Sequence, residues 1–345
     1  MQAAFITGHG GNEIVHIGER PKPVRQAGHV LVRLQAATLN RVDIYMRDSG
    51  AGITHQLPQI MGLDGAGTVE EVDANDPVLR PAQAVVLHPA IGCGRCEFCL
   101  RGEVVLCVAV QYLGEHRDGT LAQWVSVPAQ NVFPMPAGLS FAQAAALGVN
   151  HLTAWRMLFT KAQLKPWETV LIFGIGGGVS LAALQLAKQA GARAIVTSRD
   201  PAKLERARLL GADHLIDSST QDVAKTVLAA TNGRGVDVVI ENVGAAVWSE
   251  AMKSLVRGGR LVTCGATTGD QPPADLRRIF IRQLQIFGST LGNFDEFRDL
   301  LSLVSRTGLR PIIDSEFSLA QTHAALDRLA SGAQFGKVTI RLGEG

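Results

Sequence analysis

The chain has 345 residues, of which 46% are hydrophobic and 19% charged. The length favours two domains, or one large one, and the composition excludes a generally disordered chain. The formal net charge of +2, from 33 basic and 31 acidic residues, argues against a nucleic-acid-binding face. No apolar run reaches the roughly 18 residues of a membrane span, and residues 1–10 lack signal-peptide features, so we expect a cytoplasmic protein with no membrane partner.

The first part of the chain, from Met1 to about Val132, has the pattern of a small all-β domain, for which a barrel is one arrangement. Its Val-rich runs are short and are bounded by Gly, Pro, Asp and Asn, as strands usually are. One helix is predicted over Arg41–Arg47. The predicted strands are Ala3–Ile6, Glu13–Ile17, His29–Gln35, Gly67–Val72, Ala84–His88 and Ala122–Val127.

From about Leu139 the pattern changes to alternating strands and helices. Such alternation predicts βαβ units and a parallel sheet, and therefore an α/β fold. The predicted strands are Thr169–Phe173, Ala194–Thr197, Val236–Ile240, Arg260–Cys264 and Gln285–Phe287. The predicted helices are Ser140–Leu147, His151–Ala162, a helix ending at Lys188, Pro201–Leu210 and Ala246–Leu255. The tail is mixed and runs through Val338–Leu342.

A glycine-rich turn, GIGGGVS at residues 174–180, separates the strand Thr169–Phe173 from the next helix. Glycine lets the backbone approach a pyrophosphate, and the helix N-terminus offers free N–H groups and a positive dipole end. Gly174 and Gly177 occupy the first two glycine positions of the motif. Ser180 stands at the third position, where a glycine would often allow close packing of the helix on the strand. The pattern predicts a dinucleotide site, and the alternative is a strand–turn–helix without a ligand.

The stretch IVTSRDPAK, after the second strand of this half, distinguishes between the two nicotinamide cofactors. An acidic residue there would bind the ribose 2′-OH, whereas a basic one favours a 2′-phosphate. Ser198 stands where the acid is expected, with Arg199 beside it and Lys203 one turn further on. Asp200 is an alternative ribose ligand, but its position before Pro201 is typical of a helix N-cap. We therefore predict NADPH as the cofactor.

Four of the five cysteines lie close together in the run CGRCEFCLRGEVVLC. They are Cys93, Cys96, Cys99 and Cys107. In a reducing compartment, clustered cysteines indicate metal binding more than disulfides. Four thiolates make a tetrahedral site suited to zinc, and because they leave no open position, the predicted ion is structural. The alternative is four free cysteines or disulfides.

These motifs resemble the medium-chain dehydrogenase/reductase family over essentially the whole chain. The cysteine run is similar to the structural-zinc lobe of zinc alcohol dehydrogenases. The resemblance implies a chaperonin-like (GroES-like) β-barrel domain at residues 1–149 and 289–345, with the zinc lobe at 93–107. It implies a Rossmann domain, a doubly wound parallel sheet that binds NADP, at 150–288, and a homodimer or homotetramer. The further residues assigned to the cofactor site are Gly178, Val179, Gly265, Ser289 and Leu291.

Zinc members of the family carry a second, catalytic zinc, and its ligand positions do not match in this chain. The corresponding positions are Asn40 in LNRVD, Leu63 in GLDGAG and about Val149 in LGVNHLT, none of which is a good zinc ligand. Instead, LNRVDIYMR resembles the quinone oxidoreductase branch. Three later stretches, residues 243–269, 279–293 and 334–342, resemble quinone reductases and the acryloyl- and crotonyl-CoA reductases.

Without a catalytic metal, hydrogen-bond donors must stabilise the negative charge that forms on the substrate oxygen. A conjugated enone, an enoyl thioester or a quinone is then an easier small-molecule acceptor than an isolated carbonyl, because the charge spreads into an enolate or phenolate. The sequence therefore predicts NADPH-dependent reduction of an activated C=C bond or a quinone. The candidate donors are Asn40, Tyr45 and Arg47.

Each candidate also has a purely structural interpretation. Asn40 is suited to cap the helix Arg41–Arg47. Asp43 could form an ion pair, Tyr45 could pack or bind the backbone, and Arg47 could be solvated. His88, His116 and His151 could form another metal site, although scattered histidines are more often structural.

From the sequence alone, two other functions remain open. The first is a zinc-type alcohol dehydrogenase with atypical catalytic ligands, which would hold two zinc ions per chain rather than one. The second is a protein that binds NADPH without turnover, which steady-state oxidation of NADPH with a panel of enones would distinguish.

Overall fold

The computed structural model describes residues 1–343 and divides into two compact units. The first unit comprises Met1–Leu152 and the described residues from Gly292 onward. The second unit comprises Thr153–Leu291. The boundaries expected from the sequence were 149/150 and 288/289.

Residues 1–152 consist mainly of short strands. The strands are β1 (Gln2–Ile6), β2 (Val15–Glu19), β3 (His29–Thr38), β4 (Gln59–Ile60), β5 (Asp64–Glu71), β6 (Ala84–Leu87), β7 (Ala90–Ile91), β8 (Gln111–Tyr112), β9 (Trp124–Pro128) and β10 (Val132–Pro134). The helices are α1 (Arg41–Ser49), α2 (Glu97–Leu100) and α3 (Phe141–Ala145), and α4 (Leu152–Trp155) follows. Single 3₁₀ turns cover Asn12–Ile14, Gly50–Gly52, Val104–Leu106 and Ala129–Asn131.

Strands and helices alternate from residue 153 to residue 291. The elements are β11 (Thr169–Ile172), α5 (Gly178–Gln189), β12 (Arg193–Ser198), α6 (Pro201–Leu209), β13 (His214–Asp217), α7 (Val223–Ala230), β14 (Val236–Glu241), α8 (Ala245–Ser254), β15 (Leu255–Thr263), α9 (Leu276–Arg282) and β16 (Gln285–Gly288). The chain then continues through α10 (Phe294–Thr307), β17 (Ile313–Ser318), a 3₁₀ turn at Leu319–Gln321, α11 (Thr322–Ala330) and β18 (Lys337–Arg341).

The main sheet of the first unit is organised around β3. Its strand order is β10-β6-β5-β3-β18-β17, and β9 also pairs with β3. All pairs are antiparallel except β17 with β18. Val30, Val32 and Leu34 of β3 are almost completely buried in the core of this unit. The sheet places the C-terminal end of β3 beside the N-terminal ends of β5 and β18.

The second unit contains one six-stranded parallel sheet with the order β13-β12-β11-β14-β15-β16. The four residues of β11 include three that are completely buried, as expected for a strand covered by helices on both faces. Strand order reverses between β11 and β14, and ligands bind at such switch points, beyond the carboxyl ends of the strands. The predicted α/β fold with a doubly wound sheet is confirmed.

Several elements differ from the sequence prediction. β13 and α7 were not predicted, because HLID offers only a four-residue run with polar ends. β15 begins at Leu255 rather than Arg260, because the strand continues through Gly258 (φ +73°) and Gly259 with a shift in register. The predicted helix His151–Ala162 starts earlier and contains two π-helical stretches, Leu147–His151 and Arg156–Lys161. Asn12–Ile14 is a 3₁₀ turn, so β2 starts only at Val15.

Among the described residues, no helix combines the length and the apolar character needed to cross a membrane.

Candidate functional site

The glycine-rich turn connects β11 to α5 in the second unit. Gly174 has φ +66° and Gly176 has φ +115°, which other residues rarely adopt. Gly177 is the N-cap residue of α5, and no side chain caps the first turn formed by Gly178 and Val179. A helix N-terminus of this kind, preceded by close-approach glycines, is suited to bind a phosphate group.

Ser180 replaces the third glycine of the motif and has a defined structural role. Its side chain is completely buried and its hydroxyl donates to the Phe173 carbonyl oxygen at 2.8 Å. The same hydroxyl accepts a hydrogen bond from Asn242 Nδ2 at 3.1 Å. Serine is therefore small enough for α5 to pack on β11, and its hydroxyl ties the helix to the strands β11 and β14.

The end of β12 carries the residues that were predicted to select the cofactor. Ser198 is buried, and its hydroxyl accepts a hydrogen bond from the Asp200 N–H at 3.0 Å. Asp200 accepts from the Ala202 N–H at 2.9 Å and is the N-cap residue of α6, which confirms the N-cap interpretation. Arg199 is exposed, and Lys203 is partly exposed on the first turn of α6.

The remaining predicted cofactor residues follow the carboxyl ends of neighbouring strands. Gly265 comes just after β15, and a Cβ atom there would lie 2.9 Å from the Asn242 carbonyl oxygen. The Ser289 N–H donates to the Thr263 carbonyl at 2.9 Å, which extends the pairing of β15 with β16. Leu291 is buried with φ +46°. The sheet therefore brings these residues to the same edge as the glycine-rich turn.

Glu241, at the end of β14, was not singled out from the sequence. Its carboxylate is completely buried and accepts from the Val243 and Gly244 N–H groups and from the Thr263 hydroxyl, the last at 3.0 Å. Burial raises the pKa of this carboxyl above its ordinary value. Glu241 fixes the turn into α8 against the end of β15. The signal in the sequence is an acidic residue at the end of the apolar run VDVVIE.

The four cysteines of the lobe converge as predicted. The sulfur atoms of Cys93, Cys96, Cys99 and Cys107 all lie within 4.8 Å of one another. Tetrahedral zinc with 2.3 Å bonds needs sulfur atoms about 3.8 Å apart, so this set fits zinc. The Cys93 and Ala109 N–H groups also point at Cys107 Sγ, at 3.2 and 3.4 Å. N–H···S bonds of this kind stabilise thiolate ligands.

Asn293 joins the cysteine lobe to the start of α10. Its Oδ1 accepts from the Val105 N–H at 3.2 Å and its Nδ2 donates to Glu103 Oε2 at 2.7 Å. The Asn293 N–H is itself bound by Glu296 Oε2 at 2.5 Å. The lobe is thus held by α10 as well as by its own ligands.

A second polar site lies inside the first unit, where β3, β5 and β18 end. We call it the Lys337 cluster; its members are Thr38, Asn40, Asp64, Asn150 and Lys337. Lys337 Nζ lies 2.6 Å from Asn40 Oδ1 and 3.2 Å from Asp64 Oδ2. Lys337 is 3% exposed and Asp64 is 0% exposed, so this ion pair is shielded from solvent.

The amide of Asn40 is fully engaged within this cluster. Its Nδ2 donates to Asp64 Oδ2 at 2.9 Å, and its Oδ1 also accepts from Asn150 Nδ2 at 3.1 Å. Thr38 Oγ1 is a further donor to Asp64 Oδ2, at 2.6 Å. Asn40 is also the N-cap residue of α1. Its amide therefore orients the cluster, and its assignment as a donor to substrate stays a prediction.

Two buried carboxyl groups lie beside the cluster. Asp43 accepts from the Asn40 N–H at 2.7 Å and from the Gly62 N–H at 3.2 Å, and burial raises its pKa to about 7. Burial, with a smaller contribution from the charge of Asp43, also raises the pKa of Glu115 to about 7. The charge of Lys337 partly offsets the increase in the pKa of Asp43.

The other two catalytic candidates, Tyr45 and Arg47, differ in their exposure to solvent. Tyr45, on α1, is 38% exposed. Arg47 is buried, and its guanidinium donates to Asn12 Oδ1 at 2.6 Å and to Asp48 Oδ1 at 2.7 Å. The structure thus places Asn40 in the Lys337 cluster and directs Arg47 to the loop at Asn12.

The histidines considered for another metal site are separately bonded to backbone. His88 Nε2 contacts the Gly292 carbonyl at 2.8 Å, and burial lowers the pKa of His88 to about 4. His116 Nδ1 accepts from the Tyr112 N–H, and His151 Nδ1 lies 3.2 Å from the Ala146 carbonyl. Within residues 1–343, the four cysteines form the one metal-ligand group of three or more His, Cys, Asp or Glu side chains.

Asp64, Asn150 and Lys337 are the functional candidates that the sequence alone did not identify. Each lies in a stretch that carries the family resemblance: GLDGAG, LGVNHLT and QFGKVTIRL. Leu63, at one of the three catalytic-zinc positions, is 4% exposed and packs as an ordinary apolar side chain. Pairing across β3 brings Asp64 and Lys337 together, and the helical stretch Leu147–His151 adds Asn150, so residues 86 to 273 positions apart in the chain meet here.

Comparison with known proteins gives consistent matches along the chain. An alcohol dehydrogenase GroES-like domain matches residues 26–137, and a zinc-binding dehydrogenase domain matches residues 178–306. A zinc-type alcohol dehydrogenase-like protein of Schizosaccharomyces pombe is 33% identical over 91% of each chain. A quinone oxidoreductase of Rattus norvegicus is 26% identical over 99% of this chain and 98% of its own. A crystal structure of an NAD-dependent alcohol dehydrogenase has a TM-score of 0.96 and 37% identity, over 99% of this chain and all of that one.

Proposed function

This chain belongs to the medium-chain dehydrogenase/reductase family, and on that premise we propose that it is an NADPH-dependent reductase of an activated C=C bond or a quinone. It is an oxidoreductase of the alcohol dehydrogenase type, and its family and cysteine cluster imply zinc and a nicotinamide cofactor. Beyond this family-level description, the proposal specifies the acceptor class, the 2′-phosphate on the cofactor and a purely structural role for the zinc.

The observation that carries the proposal is the ammonium group of Lys337 inside the first unit. Asn40 stands at a position where the family resemblance implies a catalytic-zinc ligand, and its oxygen binds this ammonium at 2.6 Å. A divalent ion at the same oxygen would meet a positive charge in a buried interior, where charges interact strongly. Asn40, Leu63 and Val149 also lack the thiolate, imidazole or carboxylate donors that zinc prefers.

The acceptor class follows from this electrostatic arrangement. NADPH, when bound, supplies the hydride. With no Lewis acid of the zinc type, the oxygen that gains negative charge must rely on hydrogen bonds and on delocalisation. Enones, enoyl thioesters and quinones delocalise that charge, whereas a saturated ketone does not. Tyr45, which is 38% exposed on α1, is the first candidate to donate to the acceptor. Asn40 and Arg47, whose polar groups are bound within the first unit, are the other two candidates.

The cofactor assignment rests on the basic residues beyond β12. Ser198 offers a neutral hydroxyl in place of an acid, and Asp200 is engaged as the N-cap residue of α6. Arg199 and Lys203 supply positive charge for a 2′-phosphate. The relative described as NAD-dependent makes NADH the competing cofactor, so both must be tested.

Zinc is assigned to the lobe alone, where Cys93, Cys96, Cys99 and Cys107 would hold it. Four thiolates complete a tetrahedral shell, so this ion would stabilise the lobe and would offer no position for a substrate. One zinc per chain is the expected content.

The test of function is turnover with a panel of acceptors and both cofactors. We expect oxidation of NADPH with enones, enoyl thioesters or quinones, and slow turnover of ethanol and saturated ketones. Tyr45→Phe should lower kcat while leaving NADPH binding unchanged. Ethanol turnover that disappears with a chelator, alongside inert enones and quinones, would establish a zinc-type alcohol dehydrogenase instead. NADPH binding without turnover of any acceptor would indicate a non-catalytic binding protein.

The cofactor test uses two charge deletions and a matched control. Arg199→Ala and Lys203→Ala should each weaken NADPH binding by about 1–2 kcal/mol and leave NADH binding nearly unchanged, since only NADPH carries the phosphate. Lys225→Ala, an exposed lysine on α7, should change neither. Equal affinity of the unmodified protein for NADH and NADPH would refute the assignment.

A homodimer is proposed through the edge of the second unit's sheet. β16 is the last strand of that sheet and pairs with β15. Leu276, Phe280, Ile281 and Ile286, on α9 and β16, are 70%, 68%, 47% and 37% exposed, which is unusual for large apolar side chains gathered at an open edge. Light scattering should give a dimer or a multiple of it, and Ile286→Lys should shift the mass toward the monomer. An unchanged mass for this variant would exclude the edge as the interface.

A further inference from the structure

The turn formed by residues 112–117 is held against the segment that leads into β5. The Thr120 N–H, just after this turn, donates to the Gly62 carbonyl at 2.9 Å. Gly114, inside the turn, has φ +73°, and a Cβ atom there would lie 2.5 Å from the Gly62 carbonyl oxygen. The two backbones are therefore in direct contact. The turn lies beside Leu63, one of the three positions at which the family resemblance implies a catalytic-zinc ligand.

Glu115 is the acidic residue of this turn and is 9% exposed. Its one ion-pair contact within residues 1–343 is His116 Nδ1, 4.0 Å from Oε2. That nitrogen accepts the Tyr112 N–H at 3.2 Å, and burial lowers the pKa of His116, so Nδ1 carries no proton to give to Glu115. No hydrogen-bond donor reaches the carboxyl within the described residues, so nothing nearby favours its charged form.

Asp43 is the neighbouring acid, and its surroundings are opposite to those of Glu115. Asp43 accepts from the Asn40 and Gly62 N–H groups at 2.7 and 3.2 Å, and the charge of Lys337 also favours its ionised form. Burial, and then the charge of Asp43, raise the pKa of Glu115 to about 7. The two carboxyls titrate as a pair. As the pH rises, Asp43 is the better site for the negative charge, and Glu115 is the better site for the remaining proton.

A protonated carboxyl group in such a place is a strong hydrogen-bond donor. A neutral acid kept in a water-poor site can donate its O–H to an oxygen on which negative charge develops, whereas a carboxylate would repel that oxygen. The Glu115 side chain keeps 11% of its surface accessible, so the carboxyl is not sealed from a small molecule. The first unit therefore holds, beside Leu63, a donor that the sequence did not single out.

We propose that Glu115 is a further catalytic residue, whose protonated carboxyl donates a hydrogen bond to the acceptor oxygen. This inference rests on the proposed reductase function, in which the acceptor oxygen lies beside Asn40 and Leu63. Hydride addition to the conjugated carbon moves the electrons of the π bonds onto the oxygen, and the Glu115 O–H stabilises the enolate or phenolate that results. Glu115 keeps its proton during this step, and a proton from solvent then completes the reduced product.

The pH dependence of kcat should have a defined sign. Glu115 can donate only while it is protonated, so kcat should be high at low pH and fall as the pH rises through about 7. The ionisable groups that act on Glu115 are Asp43 of α1 and His116 of the same turn, and His55 and Lys337 act on these two in turn. Glu115→Gln should abolish the fall. Asp43→Asn should keep it and shift it to lower pH, because a neighbouring negative charge is lost.

The proton itself is measured by infrared difference spectroscopy of the zinc-loaded protein, without any substrate. At about pH 6, where ordinary carboxyl groups are ionised, the unmodified protein should show the C=O stretching band of a protonated carboxyl that Glu115→Gln lacks. The same component should remain in Asp43→Asn. Glu316→Gln, which replaces an exposed glutamate on β17, should give the spectrum of the unmodified protein.

The donor role is measured by kinetics with an enone and a quinone. Loss of one donor to a developing oxyanion lowers kcat about 10²–10³-fold, so Glu115→Leu should lose about a hundredfold and Glu115→Gln, whose amide remains a weaker donor, about tenfold. The loss should be larger for the enone, because an enolate oxygen is more basic than a phenolate oxygen. NADPH affinity should not change, because the cofactor residues lie in the second unit, and Glu316→Gln should keep full kcat.

The two measurements separate failure of this inference from failure of the proposed function. Absence of a Glu115-dependent band would show that the carboxyl is ionised, and the proposal would be overturned. A Glu115-dependent band together with normal kcat in Glu115→Gln, which is nearly isosteric and tests the role even if Glu115→Leu does not fold, would show that the acid takes no part in the reaction. If the unmodified protein reduces no acceptor, the proposed function and the donor role fail together, whereas the band still decides whether Glu115 is protonated.

Discussion

The cysteine lobe and the Lys337 cluster, both in the first unit, each gather ligands for a positive charge, but the source of that charge differs. The lobe takes four identical ligands from residues 93–107 and is built for a cation that comes from outside the chain. The Lys337 cluster takes five side chains of four residue types from four separated segments, and its positive charge belongs to the chain itself. A metal site and an internal ion pair can therefore occupy one domain, and the ligand chemistry distinguishes them.

The largest effect is expected from Cys99→Ser. Zinc supplies about 10–16 kcal/mol to the folding of small zinc domains, so loss of one of four ligands should destabilise the lobe more than any other substitution considered for the two sites. Zinc content should fall well below one ion per chain, and Tm should fall with it. Metal analysis and thermal unfolding measure both.

The control for this substitution is the rate of hydride transfer at a temperature where the variant is folded. A structural ion predicts that the rate is largely retained. Normal Tm together with lost hydride transfer would instead indicate that the lobe metal takes part in the chemistry. The lobe would then not be a purely structural site.

Asp64→Leu should have the next largest effect. It leaves the ammonium of Lys337 buried without its carboxylate, and breaking a buried pair from one side costs about 3–5 kcal/mol. Denaturant unfolding measures the loss. The paired change Asp64→Leu with Lys337→Met should recover most of it, since no charge then remains buried. If the single variant is as stable as the unmodified protein, the ion pair between Asp64 and Lys337 contributes nothing to the free energy of unfolding.

The pH dependence of stability should report the protonation of Asp43. Burial raises the pKa of Asp43 to about 7, so the folded chain holds a proton there that the unfolded chain releases near its ordinary pKa. The stability contributed by this proton is fully present below about pH 4 and is lost as the pH rises through about 7.

Asp43→Asn cannot titrate, so its stability relative to the unmodified protein should increase by about 2–4 kcal/mol between pH 4 and pH 7.5. Taking the difference between the two proteins cancels the opposite contribution of His88, whose lowered pKa favours folding as the pH rises. Denaturant unfolding at several pH values measures this slope. A difference that does not change with pH would mean that Asp43 is ionised throughout, with Lys337 shared between two carboxylates.

The smallest effect concerns the attachment of the cysteine lobe to α10. Asn293→Ala removes the bonds to the Val105 N–H and to Glu103, which should cost about 1–2 kcal/mol. Hydrogen exchange should increase at Val105, while zinc content stays at the level of the unmodified protein. Loss of zinc in this variant would show that the lobe depends on α10 for its ligand geometry, unlike the self-contained site that four adjacent cysteines imply.

The sequence alone determined the features that short stretches of chain encode. The cysteine spacing predicted the convergence of four sulfur atoms, and the strand–glycine–helix pattern predicted the turn at Gly174–Ser180 and the parallel sheet. Asp200 before Pro201 was enough to predict an N-cap. In each case the interacting groups are separated by a few residues, so local geometry brings them together.

Only the tertiary structure decided the composition of the Lys337 cluster and the partners of the catalytic candidates. Asp64 and Lys337 are 273 residues apart, and they meet because β5 and β18 both pair with β3. Nothing in the local sequence shows that Asn40 gives its amide to this pair, or that Arg47 binds Asn12 and Asp48. Hydrophobic periodicity predicts that these strands are buried, but the polar groups that meet at their ends depend on strand order and register, which long-range packing sets.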